Sequence, residues 1–234
     1  MKMIIQIYAF TDVNTALEAA RLGVDHIGFV AGKYGEVPAE LSFDEAREIA
    51  VSLPPQTISV ALTMATEVDE ILHMAAEVKP NIVHVSSDLD CVGVEAMHEL
   101  RSRLDKNIRL MKAIPVEDEA SITIAQQYAA VSDLLLLDTK RSGFPGVGAT
   151  GFTHDWNISR RIVESANIPV ILAGGLNAEN VNASIAKVHP WGVDSNTSTN
   201  VPGSNTVKDI NLIAEFVKAI RAGVESAENG EVAA

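Results

Sequence analysis

The stretch Leu134-Leu135-Leu136-Leu137-Asp138-Thr139-Lys140 decides the fold class, because an apolar run ends abruptly in a carboxylate. A loop rich in glycine, residues 143–151, follows it. A parallel strand that is buried on both faces has this composition. In a β/α barrel, the C-terminal ends of such strands carry the catalytic groups. Asp138 is therefore a candidate acid or base, although an aspartate that simply begins a turn would look the same.

Short apolar runs alternate with amphipathic segments along nearly the whole chain. Strands are predicted at residues 4–8, 26–30, 57–62, 81–85, 108–114, 134–137, 168–173 and 191–194, each followed by a predicted helix. This alternation indicates a parallel sheet. Eight such units in about 220 residues predict an α/β protein with a single (β/α)8 TIM barrel, residues 1–223. The polar tail, residues 224–234, is predicted to be disordered.

A doubly wound open sheet is the alternative architecture for this pattern. That fold carries a Gly-x-Gly-x-x-Gly turn after its first strand when it binds a dinucleotide. No such turn follows residues 4–8. The closed barrel is therefore the preferred prediction.

Composition limits the partners that the protein can have. The formal net charge of -13 disfavours nucleic acid and anionic membrane surfaces. No apolar stretch reaches the ~18 residues of a membrane-spanning helix, and the first residues lack a signal-peptide core, so we expect a soluble cytoplasmic protein. The single cysteine, Cys91, excludes an intramolecular disulfide and a cysteine-based zinc site. We predict no metal.

Two late segments form a candidate phosphate site. Gly174-Gly175 directly follow the apolar strand Pro169-Val170-Ile171-Leu172-Ala173. Paired glycines let a ligand approach the backbone closely. The loop of residues 195–200 adds hydroxyl and amide groups after the eighth strand. In β/α barrels, the loops after strands seven and eight often bind phosphate. The alternative reading of the glycine pair is a tight turn between strand and helix.

Several segments resemble the phosphoribosylanthranilate isomerase family of tryptophan biosynthesis, in order from residue ~3 to residue ~222. They are Gly23-Val24-Asp25-His26-Ile27-Gly28-Phe29-Val30, Lys112-Ala113-Ile114, Leu135-Leu136-Leu137-Asp138-Thr139, Asp155-Trp156, residues 170–181, Gly192-Val193-Asp194, Pro202-Gly203 and Lys208-Asp209. The resemblance implies a β/α barrel and a cofactor-free Amadori rearrangement of a phosphorylated sugar. It also implies that Asp138 is the general acid at the ring oxygen, since an apolar strand end raises the pKa of a carboxyl group.

The chain departs from the family where the general base and the aromatic group are expected. Tyr8 stands at the end of the first strand, where the family has its catalytic cysteine. The second loop, residues 31–37, lacks the arginine that pairs with the anthranilate carboxylate, and Lys33 is its one cation. The fourth strand ends with His84, whose unperturbed pKa suits a base, although a hydrogen-bonded core histidine is the alternative. Cys91 is a weaker candidate for the base because Asp88 and Asp90 surround it.

These residues define a predicted site and a set of possible functions. The predicted catalytic residues are Asp138, Tyr8 and His84. The predicted substrate- and phosphate-binding residues are Lys33, Lys112, Gly148, Gly174, Gly175, Asn196, Thr197 and Ser198. We expect an isomerase that acts on a small phosphorylated sugar, without a cofactor, as a monomer or homodimer. The alternatives are an isomerase, epimerase or aldolase for another sugar phosphate, or a non-catalytic barrel that binds a phosphorylated metabolite.

Overall fold

Eight parallel strands close into a barrel in the computed structural model. The structure describes residues 2–140, 146–148 and 151–231, with side chains as far as residue 223. The barrel strands are Ile4–Ile7, His26–Ala31, Ile58–Thr63, Ile82–Val85, Arg109–Pro115, Leu134–Asp138, Val170–Leu172 and Gly192–Ser195. The first strand pairs with both the second and the eighth, which closes the barrel. The predicted (β/α)8 barrel is therefore confirmed.

Eight α-helices follow the strands in the described residues. They are Val13–Arg21, Phe43–Ser52, Val68–Val78, Val94–Arg103, Ala120–Ala129, Trp156–Ser165, Val181–Val188 and Ile210–Glu231, and a short 3-10 helix spans Thr197–Thr199. The second helix begins with the capping box that the sequence indicates, because Ser42 and Glu45 satisfy each other's backbone amides.

Strand alternation divides the apolar side chains between two layers. Leu134 and Leu136 pack inside the barrel, with Ile82, Met111 and Ile171 among others. Leu135 and Leu137 pack outward, against the helices. Because successive side chains of a strand point to opposite faces, Asp138 shares the inward face with Leu134 and Leu136. It therefore lies at the C-terminal mouth of the barrel.

Two features extend beyond the predicted elements. A two-residue strand, Glu40–Leu41, pairs in parallel with Val30 and Ala31 at the end of the second strand. The final helix continues to Glu231, past the end predicted near Ala222, because alanine and glutamate in the tail favour helix. No helix among the described residues is long and apolar enough to cross a membrane.

Candidate active site at the barrel mouth

Asp138 ends the sixth barrel strand and is only 9% exposed. The backbone N–H and the hydroxyl of Thr139 donate to its Oδ1, at 2.7 and 3.3 Å. Burial raises the pKa of Asp138 to about 7, against these two hydrogen bonds, which lower it. Gly148 lies directly over the carboxyl group, since a Cβ there would be 2.5 Å from Oδ2. Asp138 is thus a buried acid that holds its proton near neutral pH.

Tyr8 and His84 form a buried hydrogen-bonded pair across the barrel from the first strand to the fourth. The Tyr8 hydroxyl lies 2.8 Å from His84 Nδ1, and His84 Nε2 has no partner among the described residues. Burial raises the pKa of Tyr8 well above its usual value, with the charge of Asp194 adding to the effect. Burial, and then the charge of Lys112, lower the pKa of His84 to about 3. Both side chains are therefore neutral at physiological pH.

A cavity of about 230 Å³ brings Tyr8, His84 and Asp138 together. One wall is apolar, and we call it the apolar end; it consists of Ala9, Val30, Val37, Pro38, Leu62 and Met64. Asn196 and Thr197, from the loop after the eighth strand, also line the cavity, and Gly148 covers the acid. The three predicted catalytic residues thus share one cavity, and three of the predicted binding residues line it with them.

A second carboxyl group, Asp194, lies at the same cavity on the eighth strand. Gln6 Nε2 donates to Asp194 Oδ1 at 3.1 Å, and Gln6 Oε1 lies 3.1 Å from His26 Nδ1. Burial, and then the charge of Asp138, raise the pKa of Asp194 to about 8. The mouth therefore contains two neighbouring carboxyl groups that both hold protons more tightly than exposed aspartates.

A smaller recess beside Asp138 and Asp194 contains the predicted phosphate site. Gly174, Gly175, Asn196 and Thr197 line it, and we call these four residues the glycine end. The amides of Gly174, Gly175 and Asn196 donate to no other described residue, and both glycines have positive φ angles, +85° and +60°. Such backbone amides are the groups that bind phosphate oxygens in proteins.

Lys208 stabilises the glycine end from behind. Its Nζ donates to the carbonyl and side-chain oxygens of Asn196, at 2.9 and 3.1 Å, and to Asn200 Oδ1 at 2.6 Å. The ammonium is buried, and burial lowers its pKa to about 7 although Asp194 raises it. Lys208 thus fixes the loop after the eighth strand and brings a cation near the recess.

Three predicted binding residues lie outside both cavities. The Lys33 side chain is 61% exposed, and its Nζ pairs with Glu45 at 3.1 Å. Lys112 is fully buried, but its Nζ donates to the carbonyls of Ser87 and Val85 and lies 5.9 Å from the Tyr128 ring. Tyr128 packs in the layer between strands and helices, so Lys112 points away from the mouth. Ser198 is half-buried in the 3-10 helix and lines neither cavity.

Asp194 and Lys208 are site residues that the sequence did not single out for a role. Asp194 had a weaker form of the signal of Asp138, a carboxyl group at the end of a predicted strand, residues 191–194. Lys208 had no local signal, because its four oxygen partners come from the preceding loop through a turn of the chain. Among the described residues, no group of three or more His, Cys, Asp or Glu side chains could hold a metal ion.

Comparison with known sequences shows extensive similarity to one family. A family model described as N-(5'-phosphoribosyl)anthranilate isomerase matches residues 5–219. An N-(5'-phosphoribosyl)anthranilate isomerase of Methanocella arvoryzae is 33% identical over 219 residues, which are 93% of this chain and 97% of that protein. The isomerase 2 of Methanosarcina mazei is 34% identical, over 92% of each chain. These matches confirm the resemblance seen in the sequence.

Solved structures give the same result for the fold. Phosphoribosyl anthranilate isomerase from Thermotoga maritima matches with a TM-score of 0.77 and 28% identity, over 94% of this chain and 100% of that one. A phosphoribosyl anthranilate isomerase in complex with reduced 1-(o-carboxyphenylamino)-1-deoxyribulose 5-phosphate matches with a TM-score of 0.75 and 26% identity, with the same coverage. The barrel and its order of strands are therefore shared with these proteins.

Proposed function

Because the chain belongs to the N-(5'-phosphoribosyl)anthranilate isomerase family, we propose that it isomerises a phosphorylated aldosylamine to a 1-amino-ketose. The observation that carries this proposal is Asp138, a buried acid with a pKa of about 7 at the mouth of the barrel. Relatives named as isomerases support the reaction, and the ligand of one structural neighbour is an amino-deoxyketose phosphate. The reaction moves hydrogen within one molecule, so it needs no redox cofactor.

Asp138 is the proposed general acid for opening the sugar ring. Its protonated carboxyl group gives its proton to the ring oxygen, while the nitrogen lone pair forms a C=N bond to C1 and the C1–O bond breaks. The products of this step are an iminium cation and the Asp138 carboxylate. A carboxyl pKa near neutrality suits this role, because the acid is protonated at rest and still donates readily.

Tyr8 and His84 are the proposed base for the second step. The Tyr8 oxygen takes the C2 proton, and its own proton passes to His84 Nδ1, 2.8 Å away. The iminium becomes a neutral enolamine while the imidazole becomes imidazolium, so positive charge is moved rather than created. This matters because an isolated imidazolium is unfavourable at so buried a position. Return of a proton to C1 and loss of the O2 proton then give the ketose.

The glycine end is the proposed site of the phosphate group. Its support is that the amides of Gly174, Gly175 and Asn196 donate to no described residue, together with the nearby Lys208 ammonium. The recess adjoins Asp138, so a phosphate bound there would place the sugar beside the acid. Positioning of this kind supplies much of the rate of a reaction whose chemical groups are few.

Turnover of two aldosylamines tests the proposed function. Ribose 5-phosphate condensed with anthranilate or with aniline provides both substrates, and formation of the amino-deoxyketose 5-phosphate is followed by NMR. We expect turnover of at least one substrate, and a loss of about a thousandfold in kcat/KM for Asp138→Asn. Asp44→Asn is the matched control, because Asp44 is exposed on the second helix and its change should leave kcat/KM unaltered.

Two results would contradict the proposal. One is the absence of turnover with both aldosylamines in folded wild-type protein. The other is turnover that survives Asp138→Asn within a factor of about two, since a general acid typically contributes at least a hundredfold.

A further inference from the structure

Three residues of the loop after the sixth strand, Gly146, Val147 and Gly148, lie across the barrel mouth, and we call them the strap. The Val147 N–H donates to the Ser86 carbonyl at 3.0 Å, and the Ser86 hydroxyl donates to the Val147 carbonyl at 2.8 Å. The Gly148 N–H donates to the Thr139 carbonyl at 2.9 Å. The strap is thus bonded to the residue that follows the fourth strand and to the residue that follows the sixth.

The two glycines of the strap permit a close approach at both of its ends. At Gly146, where φ is +69°, a Cβ would lie 2.6 Å from the Ser86 carbonyl oxygen. At Gly148, where φ is +104°, a Cβ would lie 2.5 Å from Asp138 Oδ2. A side chain at either position would push the strap away. The strap therefore rests on Ser86 at one end and on the acid at the other.

The carboxyl oxygen under the strap is the one that carries the acidic proton. Asp138 Oδ1 already accepts two hydrogen bonds, from the N–H and the hydroxyl of Thr139. An oxygen at which two donors point is the poorer place for a proton, so the proton of the neutral carboxyl group lies on Oδ2. Burial is the main cause of the raised pKa of Asp138, and Gly148 contributes to this burial because it lies directly over Oδ2.

We propose that Ser86 is a positioning residue, whose hydroxyl holds the strap over Asp138 and keeps water from the oxygen that donates the proton. Ser86 is only 2% exposed, so water competes little for its hydrogen bond to Val147. Val147 and Gly148 line the cavity beside Asp138, so the strap also borders the space for the sugar. The inference rests on the proposed function for the role of the acid, but it concerns a contact that exists without substrate.

Ionisable side chains from several elements lie around Asp138. Among the described residues, they are Asp194 of the eighth strand with Lys208 behind it, Tyr8 after the first strand, His84 of the fourth strand, and His154 before the sixth helix. The Ser86 hydroxyl donates to Val147 and to none of these groups. Replacing Ser86 by alanine therefore leaves them in place, and a change in the pKa of Asp138 would report the strap.

The kinetic effect of Ser86→Ala should depend on pH. If the pKa of Asp138 falls from about 7 by about one unit, the protonated fraction falls about fivefold at pH 7 and hardly changes at pH 5. We expect kcat/KM to follow this fraction. A loss of the same size at both pH values would show that Ser86 acts through folding, which would overturn the inference.

Infrared titration of Asp138 in the substrate-free protein tests the inference apart from the proposed function. We expect Ser86→Ala to lower the midpoint by about one pH unit, because water that reaches Oδ2 stabilises the carboxylate. Ser87→Ala is the matched control, since Ser87 is equally buried and its hydroxyl also donates to a backbone carbonyl, that of Ala65 at 2.6 Å, but it does not line the cavity. Its midpoint should equal that of the wild type.

Two results of the titration would overturn the inference. One is an unchanged midpoint in Ser86→Ala, and the other is an equal shift in Ser87→Ala. Either result would leave the isomerase proposal standing, because no substrate is present. Absence of turnover together with the expected midpoint shift would instead contradict the proposed function and leave the role of Ser86 in place.

Discussion

The glycine end and the apolar end of the cavity are built from different parts of the chain. The glycine end is lined by Gly174, Gly175 and Asn196, with the Lys208 ammonium behind them. The apolar end is lined by apolar residues, of which Val30 and Leu62 are typical. Asp138 lies between the two and borders both the cavity and the recess.

This difference explains why the sequence at the apolar end departs more from the family's pattern than the sequence at the glycine end does. A backbone site depends on the path of the chain, which the fold fixes, and substitutions alter it only where a side chain would block the approach. A side-chain site can change its chemistry by substitution while the strands remain in place. The proposed phosphate site and the acid thus keep the arrangement that the barrel fixes, while the ends of the first, second and fourth strands carry residues that differ from the family pattern.

Among the variants that follow, loss of the Tyr8 hydroxyl should lower kcat/KM the most. Tyr8→Phe keeps the ring, which packs against Gly28, but removes the path from the C2 proton to His84. We expect kcat/KM to fall about a hundredfold with little change in KM, because the phosphate and ring contacts remain. Steady-state kinetics on the better of the two aldosylamines measures this split.

Tyr34→Phe provides the matched control for Tyr8→Phe. The Tyr34 hydroxyl also makes one side-chain hydrogen bond, to Thr63 Oγ1 at 3.2 Å, but Tyr34 does not line the cavity. We expect its kcat/KM to stay within a factor of about two, since the lost hydrogen bond costs only about 1 kcal/mol of stability. Equal losses in the two variants would show that Tyr8 acts through folding and not through proton transfer.

A smaller change in the kinetic constants is expected when a side chain is added at the glycine end. Gly175 has a φ of +60°, and a Cβ would lie 2.9 Å from the Gly151 carbonyl oxygen. Gly175→Ala should therefore shift the loop and raise KM for a phosphorylated substrate about tenfold, with a smaller change in kcat. Gly203→Ala is the control, because Gly203 has a φ of +83° but no atom within 4 Å of its Cβ position.

The two glycine variants separate backbone strain from loss of the phosphate site. Both should lose about 1 kcal/mol of unfolding free energy, because alanine is unfavourable in the left-handed region. Only Gly175→Ala should change KM. A KM change of similar size in Gly203→Ala would mean that strain alone weakens binding, and the assignment of phosphate to the glycine end would fail.

The same feature of the sequence, the periodic placement of apolar residues, predicted both the fold and the acid. Periodicity of apolar residues, with breaks at the strand ends, identified all eight strands, and each break marks the mouth of the barrel. Asp138 follows directly from this signal. Asp194 follows from the same signal and was passed over because its strand, Gly192–Ser195, contains few apolar residues.

The direction of individual side chains was harder to predict from the sequence. The fifth strand, Arg109–Pro115, is buried on both faces, so its composition does not reveal which residues point inward. The sequence predicts Lys112 as a binding residue, whereas its side chain lies behind the strands with Ser87 and Tyr128. The Tyr8–His84 hydrogen bond joins residues 76 positions apart, which no local pattern indicates.

The protonation state of Asp138 tests the central claim most directly. Infrared difference spectra between acidic and basic pH show the C=O band of a protonated carboxyl group, and subtraction of the Asp138→Asn spectra isolates this residue. We predict a midpoint near pH 7, with kcat/KM falling above that pH because the acid form is consumed. A midpoint near 4, the value of an exposed aspartate, would contradict the assignment of Asp138 as the acid.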